Sequence, residues 1–168
     1  MTYAPIHIAA HWLTALALVL MLATGLAYSY DLADGWAMTV HQIAGQALIT
    51  LIAARLIARI FVKPRAKPTD EPAWERRLAS AVHLALYAVL IAYVATGYVS
   101  ASALRDPALL LPLDRAFARS DMGEILLEVH FALKWALLGL VSVHILGAAK
   151  HALLDRHSLP SNMLPRTN

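Results

Sequence analysis

The sequence predicts an all-α protein, a transmembrane up-down-up-down four-helix bundle that forms a single domain over residues 1–168. Three observations predict this fold: 60% of the residues are hydrophobic, only 15% are charged, and four long stretches are nearly free of Asp, Glu, Lys and Arg. A soluble domain has about 25% charged residues, whereas a membrane-spanning helix needs about 20 apolar residues in succession. Backbone polar groups inside a bilayer must pair within their own segment, which favours helices over strands.

The spans are predicted near residues 7–29, 39–61, 79–101 and 125–149. The first and third lie within the uncharged stretches 1–30 and 78–104, and the second begins within the uncharged stretch 35–54. The fourth carries Lys134 as its one charged residue between positions 129 and 149. Short connections make neighbouring helices antiparallel, and such bundles commonly enclose cofactors between facing side chains.

Lys and Arg residues gather on one predicted side of the membrane, in the second connection and the tail. By the positive-inside rule, this asymmetry places both termini in the cytoplasm. The net charge of +3 and the isoelectric point near 9.4 therefore describe a basic face toward anionic lipid, and we expect no nucleic-acid partner. The basic residues concerned are Arg55, Arg59, Lys63, Arg65, Lys67, Arg76, Arg77, Lys150, Arg156 and Arg166.

Histidines recur at a helical interval that predicts two stacked sites. His130 and His144 are 14 residues apart, which places them about 21 Å apart along one helix and within about 40° of the same face. Four segments with two levels of paired positions suggest two cofactors inside the bundle. The same interval relates His11 to Gly25, His41 to Arg55, and His83 to Gly97.

Depth in the membrane pairs His11 with His144 near the cytoplasmic end, and His41 with His130 near the outer end. Ionisable residues at membrane depth are functional-site candidates by default. Imidazoles at both axial positions suit a haem iron and leave no position open for oxygen. Because the chain has no cysteine, it excludes thioether-bound haem and iron–sulfur clusters. A different class of function is a transporter or metal carrier in which these histidines relay protons or bind ions.

Four further residues near these levels have two predicted roles each. Arg55 either binds a propionate of the cytoplasmic-side haem or extends its charge to the interface. Lys134, one turn after His130, either binds a propionate of the outer haem or anchors the helix at the interface. Gly25 and Gly97 either leave room for the flat ring of a haem or permit close helix packing.

These residues and motifs together resemble the bacterial cytochrome b561 family, whose relatives include cytochrome subunits of nickel–iron hydrogenases and formate dehydrogenases. The resemblance covers essentially the whole chain, from about Ile8 to the tail. It departs from the family where an Arg often precedes the first helix, because this chain has Tyr3-Ala-Pro-Ile-His7 there. The matching pieces are His11-Trp12-Leu13, His41-Gln-Ile-Ala-Gly45, Thr96-Gly97, His130, His144 and Asn162-Met163-Leu164-Pro165.

The resemblance implies two b-type haems on the four paired histidines and electron transfer to a membrane quinone. It further implies a quinone-linked oxidoreductase of the bacterial inner membrane, similar to a superoxide oxidase. The periplasmic donor would be superoxide or a redox partner, ubiquinone would be the acceptor, and a homodimer is compatible with this function. The alternative within the family is a cytochrome b subunit that passes electrons between a partner dehydrogenase or hydrogenase and quinone.

Two more histidines are candidates for the quinone site. His151 lies seven residues beyond His144 on the same helix face. It either hydrogen-bonds a quinone carbonyl and supplies protons or is an ordinary polar helix end. His83 enters the third span at the level of His11, where it either contacts a propionate or quinone or donates a hydrogen bond between helices.

Overall fold

A computed structural model describes residues 5–61, 72–103, 111 and 113–153 of the chain. The described residues contain helices and no strands, which confirms the predicted all-α class. Four of the helices in this described part of the chain are long and apolar enough to cross a membrane. The helices are α1 (Pro5–Ser29), α2 (Gly35–Phe61), α3 (Ala73–Ala103), the short α4 (Arg115–Ala118) and α5 (Asp121–Leu153).

Each long helix contains the predicted span and continues beyond it at one or both ends. The largest extension at a single end is in α3, which begins at Ala73 where the predicted span begins at residue 79. At 1.5 Å per residue, the 33 residues of α5 give a helix of about 50 Å. The hydrocarbon core is only about 30 Å thick. The ends of α3 and α5 therefore extend past the hydrocarbon core, and they carry charged residues such as Glu75 and Lys150.

A tight turn joins α1 to α2. Leu32 N donates to Ala27 O over 2.8 Å, and Asp31 N donates to Tyr28 O over 3.2 Å. This hydrogen-bond pair is a Schellman motif, in which the residue after the helix takes the left-handed conformation. Asp31 occupies that position with φ of 54°. The turn reverses the chain and brings α2 back along α1.

The long helices form two packed pairs. The helix α1 packs along α2, α3 packs along α5, and the pairs meet between α2 and α3. Met21, Leu48 and Leu137 are fully buried in the core that joins the helices. Side chains that reach from one pair to the other therefore lie in the middle of the bundle.

Large apolar side chains cover the outer surface of the bundle. Leu16, Leu84 and Leu146 are 66%, 72% and 68% exposed, and soluble monomers rarely expose broad apolar patches. Lipid is the solvent that suits such a surface. The protein is therefore a multi-pass membrane protein.

Several predicted features lie outside the described residues. They include the basic connection from Lys63 to residue 71 and the tail with Arg156, Arg166 and the motif from Asn162 to Pro165.

Candidate functional site

The structure brings Gly25, His41, Gly97 and His130 together, and we call this cluster the glycine site. The ring centroids of His41 and His130 are 6.1 Å apart, with ring planes at 85°. His130 is buried and His41 is half-buried. Because α2 supplies one imidazole and α5 the other, the site bridges the two helix pairs.

A backbone carbonyl of the neighbouring helix holds each imidazole of the glycine site. His41 Nδ1 lies 2.8 Å from Met21 O of α1, and His130 Nδ1 lies 2.9 Å from Tyr93 O of α3. A carbonyl oxygen only accepts hydrogen bonds, so Nδ1 is the donor in both rings. The lone pair is then on Nε2, and a histidine held in this way is oriented to bind a metal.

Gly25 and Gly97 let these imidazoles lie directly against a helix backbone. A Cβ atom on Gly25 would lie 2.6 Å from His41 Nδ1, and one on Gly97 would lie 2.7 Å from His130 Cε1. Any larger residue would push the imidazole away from its carbonyl. The sequence predicts either haem clearance or helix packing at these positions, and the observed neighbour is the imidazole of the paired helix.

Thr24 and Thr96 precede the two glycines and make the same contacts. Each hydroxyl donates to the carbonyl four residues earlier, over 2.7 Å for Thr24 and 2.8 Å for Thr96. Each also lies near the carbonyl that accepts from the imidazole, at 3.3 Å from Met21 O and 3.0 Å from Tyr93 O. The helices α1 and α3 thus present equivalent Thr-Gly surfaces to the two imidazoles.

The second cluster contains His11, Arg55, His83 and His144, and we call it the arginine site. The ring centroids of His11 and His144 are 6.3 Å apart, with ring planes at 65°. The ring of His83 lies still closer to that of His144, with centroids 5.1 Å apart. Three imidazoles from α1, α3 and α5 therefore meet at this level, and His83 is the most exposed of them.

Arg55 is the cation of the arginine site. Its Nη2 lies 3.5 Å from His11 Nδ1, and its Cζ lies 5.5 Å from the centroid of the Tyr87 ring. A guanidinium only donates hydrogen bonds, so His11 Nδ1 is the acceptor in this contact. The depth predicted for Arg55, level with His11 and His144, agrees with its position.

Two further residues with predicted cofactor contacts, Lys134 and His151, lie on α5. The Lys134 Nζ atom lies 5.1 Å from the ring centroid of Trp135 and 5.5 Å from that of Phe131. Both rings are exposed. Of the two roles predicted for Lys134, this position suits the interfacial anchor. His151 is half-buried in the last turn of α5.

A cleft at the glycine site contains an unpaired amide. Its volume is about 40 Å³, and both imidazoles and Gln42 line it. Gln42 is only 7% exposed. Within the part of the chain that the structure describes, neither of its amide atoms has a hydrogen-bond partner. A buried amide of this kind calls for a polar partner.

Taken together, these features define a class of protein, a four-helix membrane protein with paired imidazoles at two levels. The family model of prokaryotic cytochrome b561 matches residues 2–166, and the chain belongs to that family. The chain is similar to cytochrome b561 homolog 2 of Escherichia coli (strain K12). The two are 29% identical over 177 residues, which cover 99% of this chain and 93% of the relative. The protein is therefore a membrane cytochrome that transfers electrons by means of b-type haem.

The residues of both clusters fit a haem. Two imidazoles that bind one metal from opposite sides, with metal–nitrogen bonds of about 2 Å, have ring centroids roughly 6 Å apart. The observed separations are 6.1 Å at the glycine site and 6.3 Å at the arginine site. In the described ranges 5–61, 72–103 and 113–153, no group of three or more His, Cys, Asp or Glu residues forms a metal cluster.

Reasoning from the sequence missed Gln42 and Tyr93. Gln42 is a polar residue within an apolar span and next to His41, a position that could have marked it. Tyr93 is 2% exposed, and its ring stacks on that of His130 at a centroid distance of 4.0 Å and an angle of 9°. No sequence signal identified Tyr93, because its contact depends on how α3 is rotated against α5.

Proposed function

We propose that this protein transfers electrons across the bilayer through two non-covalent haem b groups, from a periplasmic donor such as superoxide to ubiquinone. The observation that carries this proposal is the pairing of His41 with His130 and of His11 with His144. Along α5 the two levels are about 21 Å apart. Each haem, when bound, supplies an iron centre that accepts and releases one electron.

The protein's part in this function would be to hold each haem by two imidazoles, His41 with His130 and His11 with His144. Two imidazole ligands for each iron would favour electron transfer over oxygen chemistry. At the glycine site, the carbonyls of Met21 and Tyr93 fix the orientation of both rings. Such hydrogen bonds make the imidazole a stronger ligand and thereby tune the metal.

The quinone acceptor is proposed at the end of the bundle that holds the arginine site. Quinone reduction consumes protons, and a histidine side chain can supply them. His83 and His151 lie at this end, His83 within the cluster and His151 seven residues beyond His144. Arg55 is proposed to hold a haem propionate there through charge-assisted hydrogen bonds.

The proposed orientation puts the arginine site toward the cytoplasm of a bacterial cell, with both termini on that side of the inner membrane. The basic residues of the second connection and the tail support this topology. Superoxide as the donor follows from the family resemblance. Arg115 and Arg119 lie at the opposite end, where their Nε atoms donate to Ala103 O over 3.4 and 3.2 Å.

The test is quinone reduction by purified protein in liposomes that contain ubiquinone. Two superoxide ions should yield two oxygen molecules while one quinone takes up two electrons and two protons. Ubiquinol should form only with haem-loaded protein. Haem that dithionite reduces but superoxide does not would reject superoxide as the donor. Copurification with a large dehydrogenase or hydrogenase would favour the subunit alternative.

A further inference from the structure

Gln42 stands out among the polar side chains of the bundle because its amide is buried and unpaired. It is 7% exposed, and within the described residues neither Nε2 nor Oε1 has a partner. An amide that leaves water without gaining a hydrogen bond destabilises the fold. Leucine at this position would avoid that cost, so the amide calls for a polar partner that the described residues do not supply.

The position of Gln42 shows which ligand it would meet. It follows His41 directly, and the cleft that it lines is also lined by His130 and Gly97. Any group bound between the two imidazoles therefore lies within reach of this side chain. The proposed occupant of that space is a haem.

Two other long polar side chains of the cleft are already engaged. Gln46 Nε2 donates to the backbone carbonyl of Gln42 over 3.3 Å, and the Tyr98 hydroxyl donates to Leu111 O over 2.5 Å. Of these three side chains, Gln42 is thus the one whose amide atoms have no hydrogen-bond partner among the described residues.

Haem b carries carboxyl groups on its two propionates. A carboxamide can bind such a group in either protonation state, because Nε2 donates to a carboxylate and Oε1 accepts from the hydroxyl of a carboxylic acid. A neutral amide also avoids placing a full charge in the apolar span. A protonated propionate would therefore pair with both unpaired atoms of Gln42, and an ionised propionate would pair with Nε2.

We propose that Gln42 binds a propionate of the haem at the glycine site. This inference rests on the proposed function, because it requires haem between His41 and His130. It gives the glycine site a neutral propionate partner, whereas the arginine site has the charged Arg55.

Resonance Raman spectroscopy of purified protein tests the inference, because the propionate bending modes of haem report the hydrogen bonds of those groups. We expect Gln42→Leu to shift these modes for one haem. We also expect about tenfold faster haem loss from that site to apomyoglobin, as for a lost hydrogen bond to a charged group. Gln42→Asn, which withdraws the amide by one methylene, should shift the same modes if the leucine variant does not assemble.

The matched control is Gln46→Leu, the same substitution in the same cleft at an amide that already has a partner. Its propionate modes should match those of the wild type. Provided that haem content stays normal, either of two results would overturn the proposal. One is unchanged propionate modes in both Gln42 variants, and the other is an equal shift of these modes in the Gln46 variant. A wild-type protein without haem would instead overturn the proposed function as well.

Discussion

The glycine site and the arginine site use the same ligand type but hold it in different ways. At the glycine site, neutral carbonyls accept from Nδ1 of both imidazoles, and His130 is buried. At the arginine site, a guanidinium donates toward His11 Nδ1, and a third imidazole lies beside His144. The glycine site therefore has its Nε2 atoms ready to bind a metal. The arginine site requires a rearrangement.

That rearrangement concerns Arg55. If iron binds to Nε2 of His11, Nδ1 has to keep its proton, and it then no longer accepts from a guanidinium. Arg55 must turn away from the ring, and a haem propionate is the anion that it would meet. The comparison thus indicates a rigid electron-transfer site at one end. At the other end it indicates an adaptable, charged site, which is where we propose that quinone and protons are handled.

Removal of an axial ligand should have the largest effect. We expect His41→Ala and His130→Ala each to lower the haem content from about two per chain to about one, because the iron loses an axial bond. His11→Ala and His144→Ala should remove the other haem. The pyridine haemochrome assay measures the content, and the optical spectrum shows which haem is lost. Loss of the same haem in all four variants would contradict the two-site arrangement.

A Cβ at the glycines should have the next largest effect. Gly25→Ala and Gly97→Ala place that atom 2.6 and 2.7 Å from an imidazole, so the ring must leave its carbonyl. We expect these variants to lose most of the haem at the glycine site and to keep that at the arginine site.

Gly139→Ala and Gly147→Ala are the controls, because an added Cβ meets nothing within 4 Å at either position. Both should retain about two haems, since alanine favours helices more than glycine does. Equal haem loss in these controls would show that the bundle, rather than the imidazole contact, is sensitive to the change.

Loss of the Arg55 charge should change the midpoint potential of a haem more than it changes the haem content. A charge interaction of about 1–2 kcal/mol at an effective dielectric constant of about 20 corresponds to roughly 40–90 mV for one electron. Because a nearby cation stabilises the reduced haem, Arg55→Met should lower one midpoint potential by about that much. Arg55→Lys should lower it far less. A change in the midpoint potential of the glycine-site haem alone would contradict the assignment of Arg55 to the arginine-site haem.

His83 and His151 should have the smallest effect on haem binding. We expect His83→Ala and His151→Ala to retain both haems and to slow quinone reduction, because their proposed role is proton supply at the acceptor. The haemochrome assay and ubiquinol formation check these two outcomes. Loss of one haem in the His83 variant would make His83 the partner of His144 in place of His11.

The sequence predicted the helices and the pairing of levels, because both follow from periodicity along one chain. The 14-residue interval fixes the depth of His130 and His144 and the angle between them. It does not fix how one helix is rotated against another, which depends on side-chain packing. For that reason the contact of His83 with His144 and the stacking of Tyr93 on His130 emerged only from the structure.

The glycines illustrate the same limit at the scale of one residue. Their spacing from His11 and His83 predicted the depth of Gly25 and Gly97 correctly, at the level of His41 and His130. Whether the free space serves a haem, a helix or an imidazole depends on the neighbour across the helix pair. In the structure, the neighbour of each glycine is an imidazole.

A redox titration of the purified wild-type protein, with its haem content measured on the same sample, tests the central claim most directly. We predict about two haems per chain and two one-electron components of different midpoint potential, as two differently held bis-imidazole irons require. A single component with one haem per chain, or protein without a Soret band after expression with ample iron and porphyrin, would contradict the account.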